Sequence, residues 1–581
     1  MSDPITLEVI RHGLAAASRE MGVTLRRTSC SPIFNEGNDY SCGIFDHRVE
    51  LISHGEFLPI HLGSLRFSVR FAVEAFELDG LQPGDAILLN DPYRGGSHLP
   101  DVTVVSPIFA DGQLVGFAAN RAHHLDVGGT APGSFYAHAT ENYQEGLRIT
   151  PVALYRAGVL DEHLLEMVLS NGRLPDQMRM DLQSQVSANT TAINRVQALV
   201  ERYGRGTLAV AVDEILDSSE RRMRAVIAGW PDGDYTASDH LDNDGINEGT
   251  REIRVTVRIR GDEAEVDFTG SAEQSAGPLN SVLGYTHAGV YMTFQAATDP
   301  DISPNSGCYR PISIVAPEGT VVNPRFPAAC TGGNEVTIVI HNAVFRALAQ
   351  IPRDGACPRV MACDQGSSNN LIIAGRDPRT AERYVLYEYP EGGWGGNEDR
   401  DGLSAVFSIA GNTWNIPVEA VERRFPIRME RYEYCADSGG AGTHRGGLGV
   451  RRDYRVIDHG AQLSILGNRA LVAPWGLDGG GEGGKADYLL DVGTEAERAA
   501  APGLRSKGTM IPLEPGTLVT QLTAGGGGWG DPTRRDPELV ARDVRLGYVS
   551  RSAAGDEYRV MLHDDGSVDP SATEARRKDA A

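Results

Sequence analysis

Five residues able to do chemistry fall within one short stretch, Asn90 to Gly129: His98, Asp101, His123, His124 and Asp126. Imidazole nitrogens and carboxylate oxygens are the mixed donor set that binds Zn²⁺, Mn²⁺ or Fe²⁺. His98 and Asp101 stand in an HxxD arrangement, and the His123-His124 pair follows after two strand-like runs. Val102 to Phe109 is rich in β-branched residues, Leu114 to Ala119 is apolar, and Asp111-Gly112 between them is a hairpin-turn dipeptide. A hairpin folds its ends together, which would set His98 and Asp101 beside His123. Because strand side chains alternate, His123 and His124 should face opposite ways, leaving one of them for the cluster. A lone histidine is commonly a hydrogen-bonded sheet residue. An HxxD followed by HH across a hairpin argues instead for a metal or catalytic site.

Acidic residues flank this stretch. Asn35, Gly37, Asn38 and Asp39 form a turn cluster ahead of a strand at Tyr40 to Phe45. Asp39 there closes an Asx turn or reaches a site from the strand mouth. Glu145 precedes Gly146 and reads as a general base, as a partner of a ligand, or as a solvated turn residue. Gly128-Gly129 through Gly133 reads as a flexible loop.

Helices and strands must position these groups. Asp3-Pro4 opens a helix over Ile5 to Arg26, and His61 opens another through Phe76. Short strands are expected at Ala86 to Leu89 and Leu147 to Leu154. Asp161 to about Gly229 is helical, with one long helix between Pro175 and Gly204. The polar residues Asp181, Gln183, Gln185 and Asn189 along it read as a solvated face. From Gly233 the texture is β, punctuated by glycine-rich loops at 391–397, 437–442, 445–449 and 523–530. The expected fold is α+β, large and multi-domain, β-rich with a central helical segment. The expected divisions are 1–155 (an α+β metal-site domain), 156–232 (helical), 233–535 (β-rich with glycine loops) and 536–581 (a strand and a flexible tail).

A formal net charge of −24 over 581 residues argues against nucleic acid as a partner. Seven cysteines without a CxxC pair, no signal-like N-terminus and no apolar run long enough to span a bilayer point to the cytoplasm and away from membranes. Gly479 to Lys485 approaches a phosphate-cradling loop, but Ala486 stands where the Mg²⁺-binding hydroxyl belongs, and a strand-like run follows instead of a helix. No other nucleotide or nucleophile-elbow motif occurs.

Several motifs in one order carry a resemblance: His98-Leu-Pro-Asp101-Val-Thr, Ala119-Asn-Arg-Ala-His123-His124-Leu-Asp126-Val-Gly-Gly, Gln144-Glu-Gly-Leu-Arg148, Asp267-Phe-Thr-Gly-Ser271, Asp437-Ser-Gly-Gly-Ala-Gly442, Arg445-Gly-Gly-Leu-Gly449 and Gly525-Gly-Gly-Gly-Trp-Gly-Asp-Pro532. Nearly end to end, the chain resembles the hydantoinase B/oxoprolinase family. That family includes B-type subunits of ATP-dependent hydantoinases, lactamases and 5-oxoprolinase, and subunits of acetone and acetophenone carboxylases. The resemblance implies one divalent metal (Zn, Mn or Fe) on His98, Asp101 and His123, with Asp39 as a fourth ligand. On the chemistry of such a site, Asp126, His124 or Glu145 is expected to orient a water or carry a proton. The resemblance implies an A-type ATPase partner that binds the ATP and phosphorylates a small cyclic amide, in a heterotetramer or larger. The alternative is a subunit of an ATP-dependent ketone carboxylase. The shorter chain favours the hydrolase.

Overall fold

The hairpin forms as its turn chemistry dictates. Asp111 and Gly112 both take positive φ, 50° and 72°, the geometry that a two-residue turn needs to match strand twist. The strands Asp101–Ala110 and Gln113–His123 pair antiparallel, with Asp101 directly opposite His123. The structure is a computed structural model and describes residues 3–353 and 355–578.

This hairpin is the centre of a seven-stranded sheet, antiparallel throughout. In spatial order the strands are Leu51–His54, Tyr40–Asp46, Gln113–His123, Asp101–Ala110, Ala86–Leu89, Val152–Arg156 and Val159–Leu160. The last long strand begins later than the sequence predicts. Pro151 has no N–H to give a ladder, and the extended run before it is held by loop bonds instead, Leu147 N–H to Val127 O and Asn90 N–H to Ile149 O.

Helices cover both faces of this sheet. Pro59–Phe76 packs on one face through Leu65, Val69 and Ala72 against Val105, Phe117 and Ala119. Pro175–Tyr203 packs on the other through Met178 and Leu182 against Val102 and Val104. The helix Pro4–Thr28, capped by the Asp3 carboxylate at Thr6 N–H, lies against that long helix. The side-chain alternation places Arg121 and His123 toward the Pro59–Phe76 helix, and Asn120 and His124 toward the long helix.

The solvated face expected on the long helix is corrected. Gln183 is exposed, but Asp181, Gln185 and Asn189 are buried. Spaced four apart, they form one buried stripe, Gln185 and Asn189 against the sheet and Asp181 against the Cys30–Ser31 backbone. Asp181 Oδ1 accepts from Cys30 N–H, Gln185 Nε2 donates to Val102 O, and Asn189 Nδ2 donates to Val104 O. Each of the three side chains finds a partner there, which makes its burial tolerable.

Beyond Gly233 three further sheets follow. One contains Gly233–Leu241, Arg251–Arg260, Glu263–Asp267 and Ile312–Val315. Helices Leu283–Ala297 and Gly333–Leu348 pack on each other, the second of them against this sheet. The other two are built from Asn370–Arg376, Arg383–Glu388, Ala461–Leu466 and Lys507–Leu513, and from five strands between Ile427 and Leu522. The largest hydrophobic cluster runs from Ile10 to Trp529. Past Asp536 the expected strand and flexible tail are replaced by three short helices, Pro537–Arg545, Arg551–Asp556 and Pro570–Lys578. Val540, Val549, Ala554, Tyr558 and Val560 give this segment its own small core. Among the described residues no helix is long and apolar enough to cross a membrane.

Candidate metal centre

Three ligand atoms converge where the hairpin ends meet. Asp101 Oδ1 lies 3.1 Å from His98 Nε2 and 3.1 Å from His123 Nδ1, and those two nitrogens are 3.1 Å apart. All three residues are buried. The register accounts for half of this, since Asp101 and His123 are cross-strand partners. His98 comes from the loop between Asn90 and Asp101. That loop is pressed onto the neighbouring helix so closely that a Cβ on Gly95 (φ +84°) would lie 2.4 Å from the Phe67 backbone.

Arg121 fastens the parts together. It is fully buried, and its guanidinium donates to Thr103 Oγ1, Ser64 Oγ, Ser68 Oγ and Gly95 O. Strand, helix and loop are thereby fixed by one side chain, two residues from His123.

The second Asp101 oxygen is also fully used. Oδ2 accepts from Ser97 Oγ at 2.5 Å and Tyr285 OH at 2.8 Å, and lies 3.1 Å from His61 Nε2. Burial opposes ionisation of Asp101. The surrounding imidazoles and their hydrogen bonds overcome it and hold the carboxyl well below the usual carboxylate range. Burial pushes His123 down to about 4 and lowers His61, so both rings are neutral near pH 7. His98 is raised, because Asp101 outweighs burial. Asp39 is raised well above the usual range by burial and then by the Asp101 charge.

The donor set fits a divalent cation. His98 Nδ1 lies 3.0 Å from Thr331 O, which keeps a proton on Nδ1 and makes Nε2 the nitrogen that would give its lone pair to a cation. Asp39 lines the same cavity, and its Oδ1 is buried without a hydrogen-bond partner among the described residues. Asp101 and Asp39 are two buried carboxylates in mutual repulsion, and a cation between them and the two imidazoles relieves it. His98, Asp101 and His123 form the one group of three or more such residues with metal-binding spacing among the described residues.

The structure brings together four of the residues singled out by sequence, Asp39, His98, Asp101 and His123, and holds three apart. His124 Nε2 is 2.9 Å from Gln185 Oε1, on the opposite sheet face, with its ring edge-on to Phe34. Asp126 is a loop anchor. Its oxygens accept from Gly128 N–H, Gly133 N–H and the Arg173 backbone and guanidinium, which ties down the loop expected to be flexible. Glu145 is buried and accepts from Cys330 N–H at 2.9 Å and Thr331 N–H at 2.7 Å. It acts at one remove, fixing the turn whose Thr331 carbonyl receives His98.

Sequence reasoning missed His61, Tyr285, Tyr387 and Arg121. His61 carried a weak signal, as a histidine in the first turn of a helix, among apolar neighbours. Tyr387 stacks on His123 at 4.9 Å between ring centroids, and Phe135 stacks on Tyr387 at 5.2 Å. The Tyr387 hydroxyl donates to Asn370 Oδ1. His61, Tyr285 and Tyr387 lie outside the hairpin, Tyr387 as far as 264 positions beyond His123 (387 − 123), and no local pattern connects them to it. The cavity over the cluster is small, about 40 Å³, and Phe407, Ala410 and Thr413 are among the residues that line it.

The family model for hydantoinase B/oxoprolinase matches residues 3–532. The beta chain of the caprolactamase of Pseudomonas jessenii is 35% identical, over 99% of this chain and 99% of that protein. A protein from Pseudomonas sp. (strain NS671), named as a candidate B-type component of a D-/L-hydantoinase, is 32% identical over 99% of this chain and 98% of its own length. The crystal structure of the ATP-dependent caprolactamase from Pseudomonas jessenii superposes with a TM-score of 0.91, at 33% identity and full coverage of both chains.

Proposed function

The chain belongs to the hydantoinase B/oxoprolinase family, and from that premise we propose that it is the metal-holding subunit of an ATP-dependent cyclic-amide hydrolase. The observation that carries this reading is the convergence of His98, Asp101 and His123 on one buried point. Two full-length relatives named for a lactam and a hydantoin support the substrate class, a small cyclic amide. Their names as subunits support an A-type partner. That partner binds ATP and phosphorylates the amide oxygen, in a hetero-oligomer, and this chain completes ring opening. The same relatives favour ring opening over the carboxylase alternative.

His98 Nε2, His123 Nδ1 and Asp101 Oδ1 would hold the cation, with Asp39 as fourth donor. A bound Zn²⁺, Mn²⁺ or Fe²⁺ supplies Lewis acidity and lowers the pKa of water so that it can attack near neutral pH. The chain's own groups prepare the site. Ser97, Tyr285 and His61 fix the plane of the Asp101 carboxylate by occupying its second oxygen. Thr331 fixes the His98 tautomer. Phe135 and Tyr387 wall the cluster with aromatic surface and exclude bulk water. Asn334 and Ser368 are polar groups on the cavity wall, placed to orient a polar ring substituent. The cavity, about 40 Å³, is smaller than the roughly 150 Å³ that takes a benzene ring, so binding of a ring substrate would require its wall to widen.

The test is reconstitution. The chain is combined with an A-type partner subunit, ATP, and a panel of hydantoins, lactams and 5-oxoproline, with acetone plus bicarbonate as the contrasting arm. Ring-opened product that needs both proteins and ATP, and that vanishes in Asp101→Asn, is expected. A carboxylated ketone, or full activity in Asp101→Asn, overturns the reading.

A further inference from the structure

A second cavity, of about 220 Å³, lies between the helices Pro59–Phe76 and Leu283–Ala297 and belongs to no part of the site described above. It is large enough for a six-membered ring, since about 150 Å³ of apolar cavity suffices for benzene. Its walls are aromatic. Tyr291 and Tyr309 stack face to face with centroids 4.1 Å apart and ring planes 12° apart. Phe67 and His287 meet edge to face at 5.1 Å. Together they form the flat and edged surfaces against which a planar ring packs.

Two arginines stand at the mouth, and they differ. Arg70 is engaged by Glu74, with Nε 2.8 Å from the carboxylate. Arg66 has no carboxylate partner among the described residues, in a chain with net charge −24. Arg66 lines the cavity, and its charge is, after burial, the next cause lowering the neighbouring His287 to about 4. His287 is thus neutral near pH 7, and Arg66 supplies the uncompensated positive charge. A guanidinium beside an aromatic slot is the arrangement that takes a carboxylate on a ring.

The cavity has a defined cause. At Gly63 the two helices touch, and a Cβ there would lie 2.5 Å from Ala288 Cα. Beyond that pinch they separate, and the gap is the cavity. The pinch also ties it to the metal centre. His61 and Tyr285, both on Asp101 Oδ2, sit two and three residues before the touching residues Gly63 and Ala288 on the same two helices.

We propose that this cavity is a binding site for a small ring-bearing carboxylate, with Arg66 holding the carboxylate and the Tyr291–Tyr309 stack holding the ring. An occupant would wedge the two helices on the far side of the pinch from His61 and Tyr285, which makes the site a place from which a ligand can act on the metal centre. The site stands on its own geometry and does not depend on the hydrolase reading.

Benzoate is the probe, titrated calorimetrically into the full-length chain beside benzyl alcohol and acetate. One saturable benzoate site per chain is expected, with benzyl alcohol and acetate each at least about tenfold weaker, because each lacks one of the two recognised parts. Arg66→Gln, a change at an exposed position, should weaken benzoate by about tenfold or more and leave benzyl alcohol unchanged. Asp101→Ala should leave benzoate binding intact. Absence of saturable benzoate binding overturns the proposal, as does equal affinity for benzyl alcohol or insensitivity to Arg66→Gln. Loss of binding in Asp101→Ala with retention in Arg66→Gln would place the carboxylate at the histidine cluster and likewise overturn it.

Discussion

His98, Asp101 and His123 gain their chemistry from what surrounds them. Each ligand atom is oriented by a further hydrogen bond or ring contact, so the supporting residues should matter nearly as much as the ligands. His98→Ala or Asp101→Ala should abolish bound Zn, Mn or Fe in elemental analysis while the chain still folds. Tyr285→Phe and His61→Gln, which loosen only the second oxygen of Asp101, should weaken metal affinity by about 10–100-fold, measured by competition with a chelating dye. Metal retention at full affinity in both would mean that these donors do not orient Asp101. Glu145 gives a pH signature. Burial, against hydrogen bonds from Cys330 and Thr331, raises its carboxyl to about 7. The folded state therefore holds a proton that the unfolded chain releases near pH 4.5. Stability from this group is fully present below pH 4.5, falls as pH rises to about 7, and is flat above. Asn142 Oδ1, buried without a partner, becomes the acceptor for the protonated carboxyl once its amide is turned. Glu145→Gln keeps that pairing and should remove up to about 3 kcal/mol of the pH dependence. Thermal denaturation of both proteins between pH 5 and 8 checks this, and parallel profiles would refute it.

Among the elements, the glycine-rich loops form the least ordinary part of the molecule. The loop 524–530 is enclosed by other glycine loops and bonded to them through its backbone: Gly525 N–H to Gly484 O, Gly526 N–H to Gly447 O, Gly527 N–H to Cys363 O and Gly528 N–H to Gly481 O. Glycine is required here by closeness of approach. A Cβ on Gly527 would lie 2.0 Å from Trp475 O. Gly527→Ala should cost several kcal/mol, about 3 or more, and reduce soluble yield. Gly555→Ala, in the helix Arg551–Asp556 with nothing within 4 Å of the added carbon, should be neutral or stabilising by about 0.5 kcal/mol. Equal melting temperatures for the two variants would contradict this account. The long helix carries a second element-scale prediction. Gln185→Leu strips partners from Val102 O, Asn120 Oδ1 and His124 and should destabilise by about 2–4 kcal/mol. A surface glutamine would cost almost nothing.

For the whole molecule, the site is a junction. The hairpin supplies Asp101 and His123, the loop before it His98, the turn before Tyr40 supplies Asp39, and remote segments supply Tyr285, Thr331 and Tyr387. A cation bound at such a junction stabilises the assembled fold by mass action. Chelation of the purified protein should lower its melting temperature, and the cognate ion, added back, should restore it. His98→Ala should show neither response. An unchanged melting curve after verified metal removal would show that the site does not clamp these segments together.

Local chemistry alone specified the hairpin and its contents. Asp111-Gly112 permits the positive φ pair, the flanking residues prefer strands, and antiparallel register then forces Asp101 opposite His123. The same local logic placed the capped first helix and the long helix after Pro175. The ordered motifs likewise sufficed to indicate the family. Three things were decided only by packing in space. Gln185 and Asn189 turn to the sheet and Asp181 to the Cys30–Ser31 backbone because partners await them there, and amino-acid type cannot distinguish a satisfied buried polar group from a solvated one. His124, Asp126 and Glu145 became anchors because strand alternation and loop closure turned them away from the cavity. His61, Tyr285 and Tyr387 joined the cluster through contacts between distant segments, which leave no periodic trace in a single sequence. The sequence thus determined which donors exist and which two strands join them. The tertiary structure decided which donors share a cavity, because that depends on how separate elements pack and not on any spacing along the chain.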